Sequence, residues 1–292
     1  MITATGRDQC SVPFRHDGGG VCGRGPGGMT IRVGVFGAGG KMGSTVCAAV
    51  AADPELELVA AVDPFHAGID LPQLGIAATG LQVARSADAI TDAGAEVVVD
   101  FTVLDAARQN MRWCAGNGVH AVVGTTGFSD DDVAELRALF DASSANAVIA
   151  PNFAIGAVLM MRFAELAAPY FETAEVIELH HDAKIDAPSG TAMLTAQRMA
   201  AASSDWATDP TEKTVVEGAR GGEGPGGIRV HSVRLRGLVA HQEVVLGTTG
   251  QSLSIRHDSY DRTSFMPGVL LAVREVRNRS GLTIGLDALL DG

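Results

Sequence analysis

Positive charge is scarce in this chain of 292 residues: 22 Lys and Arg stand against 34 Asp and Glu, a formal net charge of -12. Nucleic-acid binding needs a basic face, so that class is disfavoured and no nucleic-acid partner is expected. Any anionic ligand must instead meet a local cluster of Lys, Arg, His or backbone N–H groups. Aromatic residues make up only 5%, so the cores must rely on Ala, Val, Leu and Ile. The four cysteines, Cys10, Cys22, Cys47 and Cys114, form no C-x-x-C pair. They are no disulfide framework, and a reducing, cytoplasmic setting is expected. Cys47 and Cys114 fall in segments of helical character, where a small buried thiol is the expected state. No apolar run approaches the ~18 residues needed to span a bilayer, so no membrane partner is expected. Residues 1–28 lack the apolar stretch of a secretory signal.

What is present is an alternation. Residues 1–28 are Gly-rich and polar without an apolar period; they read as a disordered leader, with Met29 as the natural start. From there, short β-rich runs at 31–36, 56–62, 96–101, 121–123 and 147–150 alternate with helical segments at 43–52, 103–117 and 129–142. Ser129 before Asp130, Asp131 and Asp132 is an N-cap followed by an acidic first turn. Strands alternating with helices predict a parallel sheet wound in βαβ units. After Pro151 the pattern changes. A helix over 154–171, a strand over 175–181, a helix over 189–202 and a loop over 203–227 precede strands at 228–235, 241–248 and 252–257. Thr249-Gly250 between the last two reads as a hairpin turn. A helix over 267–278 and a strand at 282–286 are assigned back to the first unit. The expected fold is therefore α/β: a Rossmann-type domain of residues 29–152 plus 265–292, carrying an inserted α+β domain of residues 153–264.

The first strand runs into Gly37-Ala38-Gly39-Gly40-Lys41-Met42-Gly43 and then a helix. Strand, glycine loop and helix is the context of a dinucleotide fingerprint. The early glycines allow a tight turn and close approach of the backbone to a pyrophosphate, and Gly43 allows close packing of the helix. The helix start offers free N–H groups to the phosphates. The spacing is imperfect, since position 42 is Met where the motif has its last glycine. The second strand ends in Asp63, placed to accept from ribose hydroxyls and favouring NADH; a turn residue at a strand end is the plainer reading. Lys41 can serve a 2′-phosphate, so NADPH is expected as well. Two further strand ends, Gly124-Thr125-Thr126-Gly127 and Ala150-Pro151-Asn152-Phe153, lie where ligands sit in open parallel sheets, although each loop alone reads equally well as an ordinary connection.

The richest segment is Glu178 to Ala192, ELHHDAKIDAPSGTA. Pro188 halts the extended stretch, and Ser189 is the candidate N-cap of the next helix. The first-turn N–H groups of Gly190 and Thr191 then suit an anion, with Lys184 as counter-charge. His180 and His181 are neighbours on a strand, and alternate residues face opposite ways. Both reach one site only where the strand ends or bends. A zinc site with His231, His241 and His257 is an alternative that Lys184 opposes by repulsion, and no metal is expected.

ELHHDAKIDAPSGTA resembles the signature E-x-H-H-x-x-K-x-D-A-P-S-G-T-A of the 4-hydroxy-tetrahydrodipicolinate reductase family. The likeness extends from Met29 to the C-terminus through GAGGKMG, DFT at 100–102, GTTG at 124–127, APNFAIG at 150–156 and RTSF at 262–265. Asp63 and a compact 80–100 region match its actinobacterial branch. The resemblance implies hydride transfer from NADH or NADPH to a cyclic dicarboxylate with loss of water, in diaminopimelate and lysine synthesis. It implies that His180 and Lys184 are catalytic and that His181, Ser189, Gly190 and Thr191 bind the substrate. It places Gly37, Ala38, Gly39, Gly40, Lys41, Met42, Asp63, Gly124, Thr125, Thr126, Ala150, Pro151, Asn152 and Phe153 at the cofactor. It also implies a homotetramer built on the second sheet. Arg220, in a loosely patterned region, receives no role. A non-catalytic NAD(H) sensor and another two-domain dehydrogenase are the rival readings; a thioester dehydrogenase would need a nucleophilic cysteine.

Overall fold

The computed structural model describes residues 30–77 and 80–290. The expected leader, with Cys10 and Cys22, lies outside the described residues. The elements run β1 (Ile31–Phe36), α1 (Lys41–Ala52), β2 (Leu56–Val62), α2 (Asp88–Asp92), β3 (Val97–Asp100), α3 (Leu104–Asn117), β4 (His120–Val123), α4 (Asp130–Asp141) and β5 (Ala147–Ile149). The chain continues through α5 (Ile155–Ala167), β6 (Thr173–His180), α6 (Gly190–Ala202), β7 (Gly222–Glu223), β8 (Arg229–Arg234), β9 (Ala240–Thr248) and β10 (Gln251–Ser259), and ends with α7 (Met266–Glu275), β11 (Leu282–Ile284) and α8 (Asp287–Leu290).

The first sheet has six parallel strands in the order β11-β5-β4-β3-β1-β2. Its strands are nearly continuous apolar runs because both faces are covered. Val33, Val35, Val97, Val99, Val122 and Val148 turn toward α1 and α7, in one core with Val46, Val50, Val269 and Val273. Val98, Ala121, Val123 and Ile149 turn the other way, onto Met111 of α3 and Leu136 and Phe140 of α4. The strand order reverses between β1 and β3, so a crevice opens beyond their carboxyl ends. After the second sheet the chain returns to the first: β11 pairs with β5 and α7 packs into the first core.

The second sheet is mixed, in the order β10-β9-β6-β8-β7. β9 and β10 pair antiparallel across Thr249-Gly250, and Gly250 takes the positive φ of 82° that the two-residue turn requires. One face packs on α6: Val176, Val230, Val244 and Leu246 meet Ala192, Ala196 and Met199. Helix α5 joins the two units, since Val158, Met160 and Met161 lie in the first core and Ala164 in the second.

Four elements depart from the sequence expectation. The helix expected over 154–171 leaves α geometry at Ala167 and finishes as a 3-10 turn, Ala168–Tyr170. Pro169 lacks an N–H and crowds the preceding carbonyls, which stops the α-helix. The helix expected over 267–278 likewise tightens to 3-10 geometry at Val276–Asn278. The short helix α2 and the strand β7 carry too few apolar residues to show a period.

Candidate active site

The glycine loop is closed by backbone bonds. Gly37 turns at φ +70° and its N–H donates to the Val62 carbonyl at 2.8 Å; the Gly40 N–H donates to Gly37 at 2.9 Å. Gly43 is required by packing, because a Cβ there would stand 2.0 Å from the Gly37 carbonyl oxygen. Asp63 is 5% exposed and accepts from the Gly39 N–H at 3.1 Å and the Phe65 N–H at 2.9 Å. It therefore ties β2 to the loop while bordering the groove. That groove, about 480 Å³, is lined by Gly37, Gly40, Asp63, Phe101, Thr102 and Arg85 among others. Lys41 is exposed at the first position of α1, and Met42 is half-buried against the core.

The next strand ends serve partly as scaffold. Gly124 is demanded by the Phe101 ring, which lies 2.0 Å from where its Cβ would be. Thr125 is buried and donates its hydroxyl proton to the Thr102 carbonyl at 2.7 Å, while Thr126 is exposed. Ala150 and Phe153 are buried, and Asn152 Oδ1 accepts from the Ala154 N–H at 2.9 Å. Pro151 and Asn152 face a different cavity, which belongs to the inserted domain.

Strand alternation builds that cavity. On β6, Ala174, Val176 and Glu178 point to the face covered by α6, and His180 follows at the strand end. Glu178 is fully buried beneath it. Its carboxylate accepts from Arg234 of β8 at 2.8 Å on each oxygen, from the Ser189 N–H at 3.1 Å, and lies 2.6 Å from His180 Nδ1. Burial works to raise the Glu178 carboxyl; Arg234, Ser232 and His180 outweigh it and hold it below the usual range. For His180 burial wins. The imidazole is pushed below its ordinary value, with the charges of Lys184 and Arg234 adding to the shift against the pull of Glu178. Since Nδ1 is held by Glu178, Nε2 is the nitrogen left for the cavity.

Ser189 caps α6, its Oγ accepting from the Ala192 N–H at 3.2 Å. The cap leaves the N–H groups of Gly190 and Thr191 without intrahelical acceptors. His180, Ser189 and Thr191 share one cavity of about 200 Å³ with Pro151, Asn152, Gln242, His257 and Phe265. The site thus draws on β5, β6, α6, β9 and β10 at once.

His181 and Lys184 stand apart from that lining. His181 is exposed, just past the end of β6, and does not line the cavity. Lys184 Nζ donates to both Asp186 oxygens at 2.8 Å. Asp186 is 60% exposed, so solvent screens this pair and it gives way readily to a stronger anion. Of the histidines of the zinc alternative, His231 is held away by Glu175 at 2.7 Å, while His241 and His257 line the cavity with His180 and His241 pairs with Asp258 at 2.7 Å. Among the described residues no three metal-ligating side chains converge.

A buried carboxylate locking a histidine beside a capped helix start, across from a glycine-loop sheet, is the geometry that comparison with known proteins then places. Residues 31–153 match the family described as dihydrodipicolinate reductase, N-terminus, and residues 156–290 its C-terminus. The chain belongs to the dihydrodipicolinate reductase family. It is 54% identical to 4-hydroxy-tetrahydrodipicolinate reductase of Nocardia farcinica over 268 residues, covering 90% of this chain and 100% of that protein. To the enzyme of the same name in Mycolicibacterium vanbaalenii it is 51% identical, covering 89% and 99%. A dipicolinate-bound dihydrodipicolinate reductase from Paenisporosarcina superposes with TM-score 0.78 at 42% identity, covering 89% of this chain and 99% of that one. Membership in this family makes the first domain a Rossmann-type nicotinamide-dinucleotide domain.

Three residues of this dihydrodipicolinate reductase family member escaped the sequence reading. Glu178 stands first in its motif without an assigned task, and only the fold shows it buried under His180. Arg234 is remote in sequence from Glu178, and no spacing links the two. Arg85 lines the groove beside Asp63 from a segment with no regular element, held by isolated bridges between Val62 and Ala84 and between Asp70 and Gln82.

Proposed function

We propose that this chain reduces 4-hydroxy-tetrahydrodipicolinate to tetrahydrodipicolinate with NADH or NADPH in cytoplasmic diaminopimelate and lysine synthesis. One substrate, one reduced cofactor and one proton give product, oxidised cofactor and water. The observation that carries this reading is the shared cavity: His180 locked by Glu178, the Ser189 helix start, and Pro151-Asn152 beyond β5. Gly37 to Met42 and Asp63 hold the dinucleotide, with Gly124 to Thr126 and Ala150 to Phe153 shaping its nicotinamide end. A bound nicotinamide supplies the hydride.

The chain's own residues supply the rest. Gly190 and Thr191 N–H groups, with the positive end of α6, receive one substrate carboxylate. Lys184 leaves Asp186 for the substrate, and His181 contacts its rim. A dianionic substrate beside His180 favours the imidazolium, which opposes the lowering by burial. The electron-rich ring carbon left by reduction then takes a proton from His180, with Lys184 as second acid. The rival thioester chemistry finds no nucleophile among the described residues: burial pushes the Cys47 thiol up to about 12 and raises the Cys114 thiol as well. The test is oxidation of NADH and of NADPH with freshly prepared precursor. Substrate-dependent oxidation is expected with both, and its absence overturns the reading.

A further inference from the structure

On the covered face of the second sheet, Gln242 of β9 stands directly beside Glu178 of β6. It is 4% exposed and borders the cavity that holds His180, Ser189 and Thr191. Its amide orientation is determined by its neighbour. The Thr195 hydroxyl has one proton, donated to the Thr191 carbonyl at 2.8 Å, so toward Gln242 it can only accept. The amide nitrogen must therefore face Thr195, which it does at 2.7 Å. The oxygen is left over. Gln242 Oε1 is buried with no hydrogen-bond partner among the described residues. Satisfying it requires a donor, and the cavity walls so described offer it none.

We propose that Gln242 Oε1 accepts a hydrogen bond from a donor on the substrate ring, an N–H or an O–H, and so selects a ring that bears one. This rests on the functional reading above, in which the cavity takes a cyclic dicarboxylate. The carboxylates themselves are acceptors and cannot satisfy an amide oxygen. An aromatic pyridine nitrogen cannot either, and its lone pair would face the oxygen. The Thr191–Thr195–Gln242 chain thus couples the helix start that holds a carboxylate to the atom that reads the ring.

The test compares four rigid or near-rigid dicarboxylates as competitive inhibitors of wild type and of Gln242→Leu, which keeps the bulk but removes the acceptor. Isophthalate and pyridine-2,6-dicarboxylate carry no ring donor. Piperidine-2,6-dicarboxylate carries an N–H, and 5-hydroxyisophthalate an O–H opposite the position of the ring nitrogen. In Gln242→Leu the inhibitor that uses Oε1 weakens about tenfold, while the donor-free rings hold or tighten. Loss confined to the piperidine assigns the N–H as donor; loss confined to the hydroxy compound assigns the O–H. Unchanged discrimination in a folded Gln242→Leu overturns the inference. Should that variant lose all four ligands and its melting transition, Thr195→Val decides: it frees the amide to flip and must relax the preference for a donor, and retention of the preference overturns the inference. Wild-type turnover of 4-hydroxy-tetrahydrodipicolinate is measured alongside. Its absence overturns the functional reading, whereas turnover with unchanged discrimination overturns only the part assigned to Gln242.

Discussion

At the residue scale, His180 and Lys184 play different parts that separate experiments can read. His180 is held by Glu178 and walls the cavity, so His180→Gln removes the proposed proton donor while its amide keeps similar bulk. A fall in kcat of about 10²–10⁴-fold is expected with the melting temperature nearly unchanged. Lys184→Ala is expected to lower kcat as well and to raise KM, since in the proposed mechanism Lys184 is also counter-charge to a substrate carboxylate. Near-wild-type rates in either variant remove that residue from the mechanism. The acidity of His180 sets the pH profile. Burial holds the free-enzyme imidazole below its ordinary value of 6.5, so its protonated fraction shrinks as pH rises through that lower value. The kcat/KM profile must fall on the alkaline side with that group, and His180→Gln must erase this limb. Arg85 makes the corresponding case for the cofactor. It is a cation lining the groove beside Asp63, and Arg85→Ala is expected to raise KM for NADPH about tenfold or more while leaving NADH little changed. Equal effects on both cofactors would contradict a contact with the 2′-phosphate.

At the element scale, the site depends on β6, β8 and the start of α6 meeting at one carboxylate. Glu178 joins them by bonding Arg234 on one side and the Ser189 N–H on the other. Arg234→Met leaves that buried charge without its main partner and is expected to cost about 3–5 kcal/mol, read from the denaturant midpoint. Pairing it with Glu178→Leu should recover much of the loss of stability without recovering turnover. Much of this was legible beforehand. Val-rich runs, the Ser129 and Ser189 caps and the Thr249-Gly250 turn each follow from local chemistry, and all appear where the sequence places them. The element ends that moved are those where a single proline or a tightening last turn decides, as at Pro169. The ion pair of Glu178 and Arg234 was not legible, because adjacency of parallel strands carries no local signal.

At the scale of the whole molecule, the face of the second sheet turned away from α6 is where an assembly contact is proposed. Ile177, Val245 and Trp206 line a groove of about 400 Å³ there with Arg220 and Arg229. Arg220 donates to Glu175 at 2.7 Å within this face, which gives it a structural task that the loose pattern around it did not reveal. We propose that four chains assemble through this sheet. Ile177→Glu would set repelling charges in the interface, and sedimentation should show species smaller than the tetramer; an unchanged sedimentation coefficient contradicts the proposed face. Sheet assembly need not touch His180, which belongs to the opposite, helix-covered face of the same strand order.

Taken alone, the sequence determined which segments are strands and helices, that a glycine loop opens a Rossmann-type first domain, and that ELHHDAKIDAPSGTA marks the family. Those properties rest on periodicity, caps and turns, interactions between residues close along the chain. The tertiary structure alone decided that His180 and not His181 lines the cavity, that Lys184 rests on Asp186 outside it, that Arg234 clamps Glu178, and that Gln242 and Arg85 line the two cavities. Each of these turns on burial and on contacts between strands far apart in sequence, where desolvation and pairing exist only once the sheets have closed on their helices.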